Sequence, residues 1–234
     1  FVEKGERVAI ISRGYGGKLN NKKVNVISDG INLYYKADMA GDEPYWLAVN
    51  LNMCAVLTCA DRVKAAEYAI SELGVTKIIL DDGFQHRRMA RDLDIVLVDS
   101  EKMFGNENLL PAGPLREGME GFKRVHRLVI VSKNVDHSRA EKLARIMEKK
   151  QGISTFVAKV EPDYAYNIIT GEHLPRGTKV TALSAIGQPE QFYQFLKDYD
   201  VVQTVTFDDH HQYAADDIST IEGNIITTEK DAVK

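Results

Sequence analysis

Short apolar, β-branched runs alternate along this chain with stretches whose apolar residues recur every three or four positions. Residues 8–11 (Val-Ala-Ile-Ile) read as a buried strand, and residues 24–27 as a second strand near a sheet edge. From 42 to 52 the spacing is helical, and the segment opens on Asp-Glu-Pro, a favourable helix start. Residues 55–58 form a short strand. Residues 61–73 read as a helix: Asp61 is placed to cap it, Val63, Ala66, Ile70 and Leu73 mark one face, and Gly74 stops it. Residues 77–80 make a strand that ends in Asp81-Asp82-Gly83, and 93–98 and 128–131 are further buried strands. Residues 136–150 predict a helix with Leu143, Ile146 and Met147 inward.

The character changes near Gly152. Residues 156–160 and 166–169, with the turn at Gly171-Glu172, predict a hairpin. A second α/β pattern follows: strand 179–183, helix 189–198, strand 201–207, strand 225–228. The pattern therefore predicts an α/β fold with a mostly parallel sheet flanked by helices over residues 1–155. A hairpin linker and a smaller C-terminal α/β domain then occupy residues 156–234. In such sheets ligands bind beyond the carboxyl ends of the strands, so the polar residues after each strand carry the candidate chemistry.

Composition narrows the classes. With 234 residues and a net charge of −4, the chain has enough apolar content to fold and no excess of basic residues. Intrinsic disorder and a basic nucleic-acid-binding surface are both disfavoured. Cys54 and Cys59 are the only cysteines. Their spacing, without a second Cys or His pair, reads as two small buried residues, and reduced thiols fit a cytosolic compartment. The longest charge-free stretch, 44–60, is interrupted by Asn50 and Asn52, too short and too polar for a membrane span. The chain begins at Phe1 without a Met and stops soon after a strand-like run, which reads as a fragment of a longer protein.

Asp81 and Asp82 at the end of an apolar strand make a Walker B arrangement, in which a rigid strand end holds a carboxylate for Mg²⁺; Asp-Asp-Gly is also ordinary turn chemistry. Gln85-His86-Arg87-Arg88 follow at once, as in a ligand-facing loop. The Walker A pattern is absent: Gly17-Lys18 is followed by Leu19. Leu19 also breaks a dinucleotide fingerprint begun by Gly14-Tyr15-Gly16. In that segment Arg13 is a phosphate candidate, with a plain glycine turn as the alternative. Asp42 and Glu43 sit at a helix start, either as favourable first-turn charges or as a base or metal ligand. Residues 111–117 form a Pro-stiffened loop with a charged tip. Asp208-Asp209-His210-His211 place four ionisable groups after a strand, and residues 227–231 are a weaker case of the same kind.

Taken in order, Ser12-Arg13-Gly14-Tyr15-Gly16-Gly17, Gly41-Asp42-Glu43-Pro44, Asp81-Asp82-Gly83-Phe84-Gln85-His86, residues 110–117, residues 207–211 and residues 227–230 resemble the tetraacyldisaccharide 4'-kinases of lipid A synthesis. The resemblance spans nearly the whole chain. It implies a P-loop kinase that uses ATP and Mg²⁺ to phosphorylate the 4'-hydroxyl of an acylated glucosamine disaccharide 1-phosphate. It also implies a monomer at the cytoplasmic face of a Gram-negative inner membrane, with peripheral contact through an upstream helix and no nucleic-acid partner.

By the same resemblance Asp42 is the general base and His210 its partner, the two side chains approaching within hydrogen-bonding or one-water reach. Asp81 and Asp82 are the Mg²⁺ carboxylates, and Gln85 and His86 lie beside the metal. Arg13, Arg62 and Arg116 neutralise phosphate charge, with Glu117 a weaker candidate. The family's membrane helix and Walker A loop lie upstream of the Ser12–Gly17 segment and outside these 234 residues, so weak nucleotide binding is expected of them alone. Two other readings compete. One is a metal-dependent phosphoesterase built on Asp81, Asp82, Asp209, His210 and His211. The other is a non-catalytic binding module.

Overall fold

The computed structural model describes residues 1–133, 137–209 and 211–234. The chain forms two compact units, one of Phe1–Gly83 with Asp163–Lys234, the other of Phe84–Pro162. In chain order the first unit opens with β1 (Val8–Ser12), β2 (Asn25–Ser28), α1 (Ala37–Ala40), α2 (Asp42–Asn50), β3 (Cys54–Thr58), α3 (Arg62–Leu73) and β4 (Lys77–Leu80). The second unit holds β5 (Ile95–Asp99), β6 (Arg127–Ser132), α4 (Ser138–Gln151) and β7 (Thr155–Lys159). The chain returns to the first unit with β8 (Lys179–Ser184), α5 (Pro189–Phe195), β9 (Asp200–Thr206), α6 (Ala215–Ser219), β10 (Asn224–Ile226) and α7 (Glu229–Ala232).

The strands divide among three sheets, ordered β2-β3-β1-β4, β10-β8-β9 and β5-β6-β7. All pairings are parallel except β2 with β3. The expected α/β class therefore holds. β1 and β3 are buried at every position, which is what a continuous apolar run dictates for a strand covered on both faces. β4 and β5 were expected to be buried as well. Both are edge strands, and Ile79 is 44% and Leu97 65% exposed.

The helices pack on small residues. Asp61 caps α3 by accepting the Val63 N–H at 3.1 Å, and Gly74 ends it in the left-handed conformation, as the sequence predicts. The buried face, however, is Ala65, Ala66 and Ala69, while Ile70 points outward. Alanines let the helix approach the sheet closely, and that close contact outweighs burial of the larger Ile70. α4 behaves alike: Met147 is buried with Ala140 and Ala144, and Ile146 is exposed.

One expected motif forms only in part: the turn at Gly171-Glu172 closes a short antiparallel contact, but without residues 156–160. Residues 156–160 do not pair with 166–169; β7 instead joins β6 in parallel, and Tyr166 bridges His173. The apolar alternation of β7 fits either partner, and tertiary packing selected β6. The boundary expected near residue 155 falls at the start of this strand, whereas the compact units divide at Gly83 and Pro162. The 1–83 and 163–234 segments, separated in sequence, fold together.

Candidate active site

The carboxyl ends of β1, β3 and β4 gather the first group of charges. β1 delivers Arg13, exposed to solvent. β3 leads to Arg62, the first residue of α3, which is 5% exposed. One guanidinium nitrogen of Arg62 donates to the Ala60 carbonyl at 3.0 Å, while its buried Nε has no hydrogen-bond partner among the described residues. Burial holds the Arg62 pKa below its usual range, and nearby Arg13 adds to that; Asp82 and Asp81 oppose it. β4 delivers Asp81. Burial pushes its carboxyl up, as do the charges of Glu43 and Asp82, with Arg62 opposing. Asp82 takes the left-handed conformation at φ 48°, and the next residue must be glycine because the Leu80 side chain fills the place of a Cβ at Gly83. This turn sets the two aspartates close together at the strand end.

The glycine-rich segment after β1 has a structural task. Its backbone lies against the junction of α1 and α2: Lys18 and Leu19 donate N–H groups to the Met39 carbonyl at 3.0 and 3.2 Å. A Cβ at Gly17 would stand 2.7 Å from backbone atoms of Ala40. Gly41 has φ 93°, and a Cβ there would meet the Tyr15 carbonyl at 2.7 Å. The two motifs that the sequence sets 24 residues apart, Gly17 and Gly41, thus buttress each other. What they hold in place is Asp42, the first residue of α2, 5% exposed. A carboxylate at a helix N-terminus is also favoured by the helix dipole.

The second sheet of this unit brings another set of charges to the same helix end. Gln212, in the loop after β9, donates to Asp42 Oδ1 at 3.3 Å. Lys234, just after α7, places Nζ 3.8 Å from Asp42 Oδ2. The same Nζ donates to Asp231 Oδ1 at 2.7 Å and to the Ala185 carbonyl at 3.1 Å. Glu43 pairs with Lys230 at 3.4 Å, and Lys230 lies 3.8 Å from Asp209. The loop after β9 and the α7 segment after β10 therefore both reach the first turn of α2. The sequence pointed to Asp42, Glu43 and Asp209 but passed over Gln212 and Lys234. The signal available for Lys234 was the Thr228, Asp231, Lys234 spacing, every third residue on one helical face.

The remaining candidates belong to the second unit. Glu117 is held there by Arg124, which donates to both carboxylate oxygens at 2.8 and 2.7 Å. Gln85 donates to Glu117 at 3.1 Å, and Arg124 lies 4.5 Å over the Phe84 ring. The His86 carbonyl accepts from Arg91 at 2.8 Å, and Arg116 is exposed. His210 lies outside the described residues, and so does its expected approach to Asp42. His211 pairs with Asp217 at 2.9 Å and stacks on Phe207 at 4.4 Å. Among the described residues no three His, Cys, Asp or Glu side chains converge as a metal cage, and no helix is long and apolar enough to cross a membrane.

Comparison with known proteins places the chain. The family model of tetraacyldisaccharide-1-P 4'-kinases matches residues 1–234. A tetraacyldisaccharide 4'-kinase from Halothermothrix orenii is 36% identical over 97% of this chain and 66% of its own length. One from Desulfotalea psychrophila is 37% identical over 100% of this chain and 71% of its own. The crystal structure of an "apo" form of LpxK from Aquifex aeolicus, in complex with ATP, superposes with a TM-score of 0.73 at 31% identity, covering 99% of this chain and 71% of that one. The chain spans about two thirds of the length of the curated relatives it matches.

Proposed function

The chain belongs to the tetraacyldisaccharide-1-P 4'-kinase family, and on that footing we propose that its parent protein transfers the γ-phosphoryl group of ATP to the 4'-hydroxyl of an acylated disaccharide 1-phosphate at the inner-membrane surface. The observation that carries the reading is the first turn of α2. Asp42 is buried there and held from both oxygens, while its neighbour Glu43 raises the Asp81 carboxyl by its charge. An acceptor for a hydroxyl proton and a carboxylate cluster therefore stand on adjacent residues. Phosphoryl transfer requires mainly positioning and charge neutralisation, and both are supplied by fixed groups here.

Asp42 is the general base of this proposal and accepts the proton of the sugar hydroxyl as that oxygen attacks phosphorus. His210 keeps the partner role that its sequence position implies. Arg62, with a buried N–H unpaired, is suited to a phosphate oxygen; leaving such a donor unmade costs about 1–3 kcal/mol. Arg13 adds charge beside it. Asp81 and Asp82 fit Mg²⁺, which is bound through one or two carboxylates with water and phosphate completing the shell. The mutual repulsion around Asp81 is what a divalent cation would relieve, and the ion would neutralise charge on the transferring group. Gln85, His86 and Arg116 enter the proposal on their match to the family motifs. Glu117 enters it more weakly, since Arg124 already neutralises it.

The phosphoesterase reading is the weaker one: among the described residues of its site, His211 is engaged with Asp217 and Asp209 faces Lys230. The test is ATP-dependent phosphorylation of the acylated disaccharide 1-phosphate by the full-length parent, beside an Asp42→Ala variant. Transfer that collapses in the variant supports the reading. Transfer at the parental rate in the variant removes Asp42 as base. No transfer by the folded parent favours the binding module.

A further inference from the structure

Lys234 is the most deeply buried cation described in the chain that faces the proposed base. Its side chain is 0% exposed, as is that of Asp231, and Asp42 is 4% exposed. An ammonium group has three donors in a rotatable head. Two are committed: to Asp231 Oδ1 at 2.7 Å and to the Ala185 carbonyl at 3.1 Å. Asp231 in turn is anchored, its Oδ2 accepting the Ala185 N–H at 2.9 Å and the Thr228 hydroxyl at 3.1 Å. The carboxylate and the carbonyl both belong to the end of the second sheet, so Nζ is fixed from that side. Its remaining direction faces Asp42 Oδ2 at 3.8 Å, under the Tyr213 ring at 5.8 Å. That separation is close enough for strong attraction in a buried setting and too long for a hydrogen bond.

We propose that Lys234 is a positioning residue for the phosphoryl transfer: clamped by Asp231 and Ala185, it orients the buried Asp42 carboxylate for the acceptor hydroxyl. The inference rests on the reading of Asp42 as base. A second carboxylate is needed for this geometry. With Asp231 anchoring the ammonium, Lys234 attracts Asp42 but is not drawn into direct contact with it. Gln212 fixes the other oxygen, so the carboxylate plane is set from two elements. A misplacement of about 1 Å in such a group costs on the order of 100-fold in rate.

The test is a double-mutant cycle in the full-length parent, using single-turnover transfer from labelled ATP to the acylated disaccharide 1-phosphate. Lys234→Met is expected to lower kcat about 10- to 100-fold, with the KM for ATP within about twofold of the parent. In the Asp42→Ala background the same substitution is expected to change residual transfer less than about threefold. Because Lys234→Met strands Asp231 without its cation, the paired variant Asp231→Asn with Lys234→Met is measured beside it. It removes both charges, leaves an acceptor for the Ala185 N–H, and is expected to show the same fall in kcat. Unchanged kcat in either folded variant overturns the proposal while leaving Asp42 as base. So does an equal loss with and without Asp42. Parental kcat in Asp42→Ala alone overturns the base reading and this inference with it.

Discussion

Two polar clusters, one in each unit, began as the same kind of sequence signal and ended as different objects. In the first unit the residues after β1 and β4 gather like charges at one strand end: burial, then Glu43 and Asp82, pushes the Asp81 carboxyl up, and burial with Arg13 holds Arg62 down. In the second unit Glu117 meets Arg124 through two short bonds, with Gln85 on one oxygen and Phe84 beneath the guanidinium. The second cluster pairs its charges with one another, although Arg124 Nε, like Arg62 Nε, has no hydrogen-bond partner among the described residues. The first gathers carboxylates and arginines whose charges shift one another. Polar residues in a loop do not by themselves mark a site; residual charge in a buried setting does.

The largest expected effect is on the first cluster. Asp42→Ala in the full-length parent should lower kcat by about 10²–10⁴-fold, the usual range for loss of an acid–base group, with the circular dichroism spectrum preserved. A smaller loss would place Asp42 among structural charges, like Glu117. Asp81→Asn should lower transfer by about 100-fold or more, yet raise Tm in magnesium-free buffer. The raised carboxyl means that the folded state holds this proton more tightly than the unfolded one. Its stabilising contribution is full below the ordinary value of 3.8 and is lost as pH rises through the folded value. The Tm gain of Asp81→Asn over the parent should therefore be small near pH 4 and larger at pH 7. A constant gain would remove the account of Asp81 as a carboxyl raised by burial and its acidic neighbours.

Gly17→Ala tests the buttress. A Cβ against Ala40 must displace either the loop or the start of α2, so kcat should fall about tenfold and Tm should drop, since overpacking costs about 1–3 kcal/mol. A Tm loss without a kcat loss would uncouple the loop from Asp42. The smallest effect is expected in the second unit. Arg124→Ala should cost about 1–2 kcal/mol in denaturant unfolding, because one Arg124 nitrogen bonds both Glu117 oxygens but the pair is about a quarter exposed. A cost near zero would mean that the clamp is weaker than its geometry.

The motifs that carried the family resemblance were legible because each is local. Asp81-Asp82-Gly83 needs only a strand end, and Asp61 with Gly74 needs only a helix to bound. Other features were not legible for reasons of packing. Helix periodicity identified α3 but not its buried side, since the choice between Ala69 and Ile70 depends on how closely a sheet approaches. The alternation in β7 could not say whether its partner was β6 or a following hairpin arm. Lys234 carried only the Thr228, Asp231, Lys234 spacing, which does not predict burial, because a lysine after a short helix is ordinarily solvated.

By itself the sequence determined the α/β class, the order of the elements and the local chemistry at the strand ends. Each of these follows from residue periodicity, backbone preference or contiguous motif, all short-range properties of the chain. Only the tertiary structure decided that residues 163–234 fold with residues 1–83, and that Asp42 meets Lys234 and Gln212 from the far end of the chain. Such pairings depend on which apolar faces cover one another, and a burial requirement specifies that a face be covered without naming its partner.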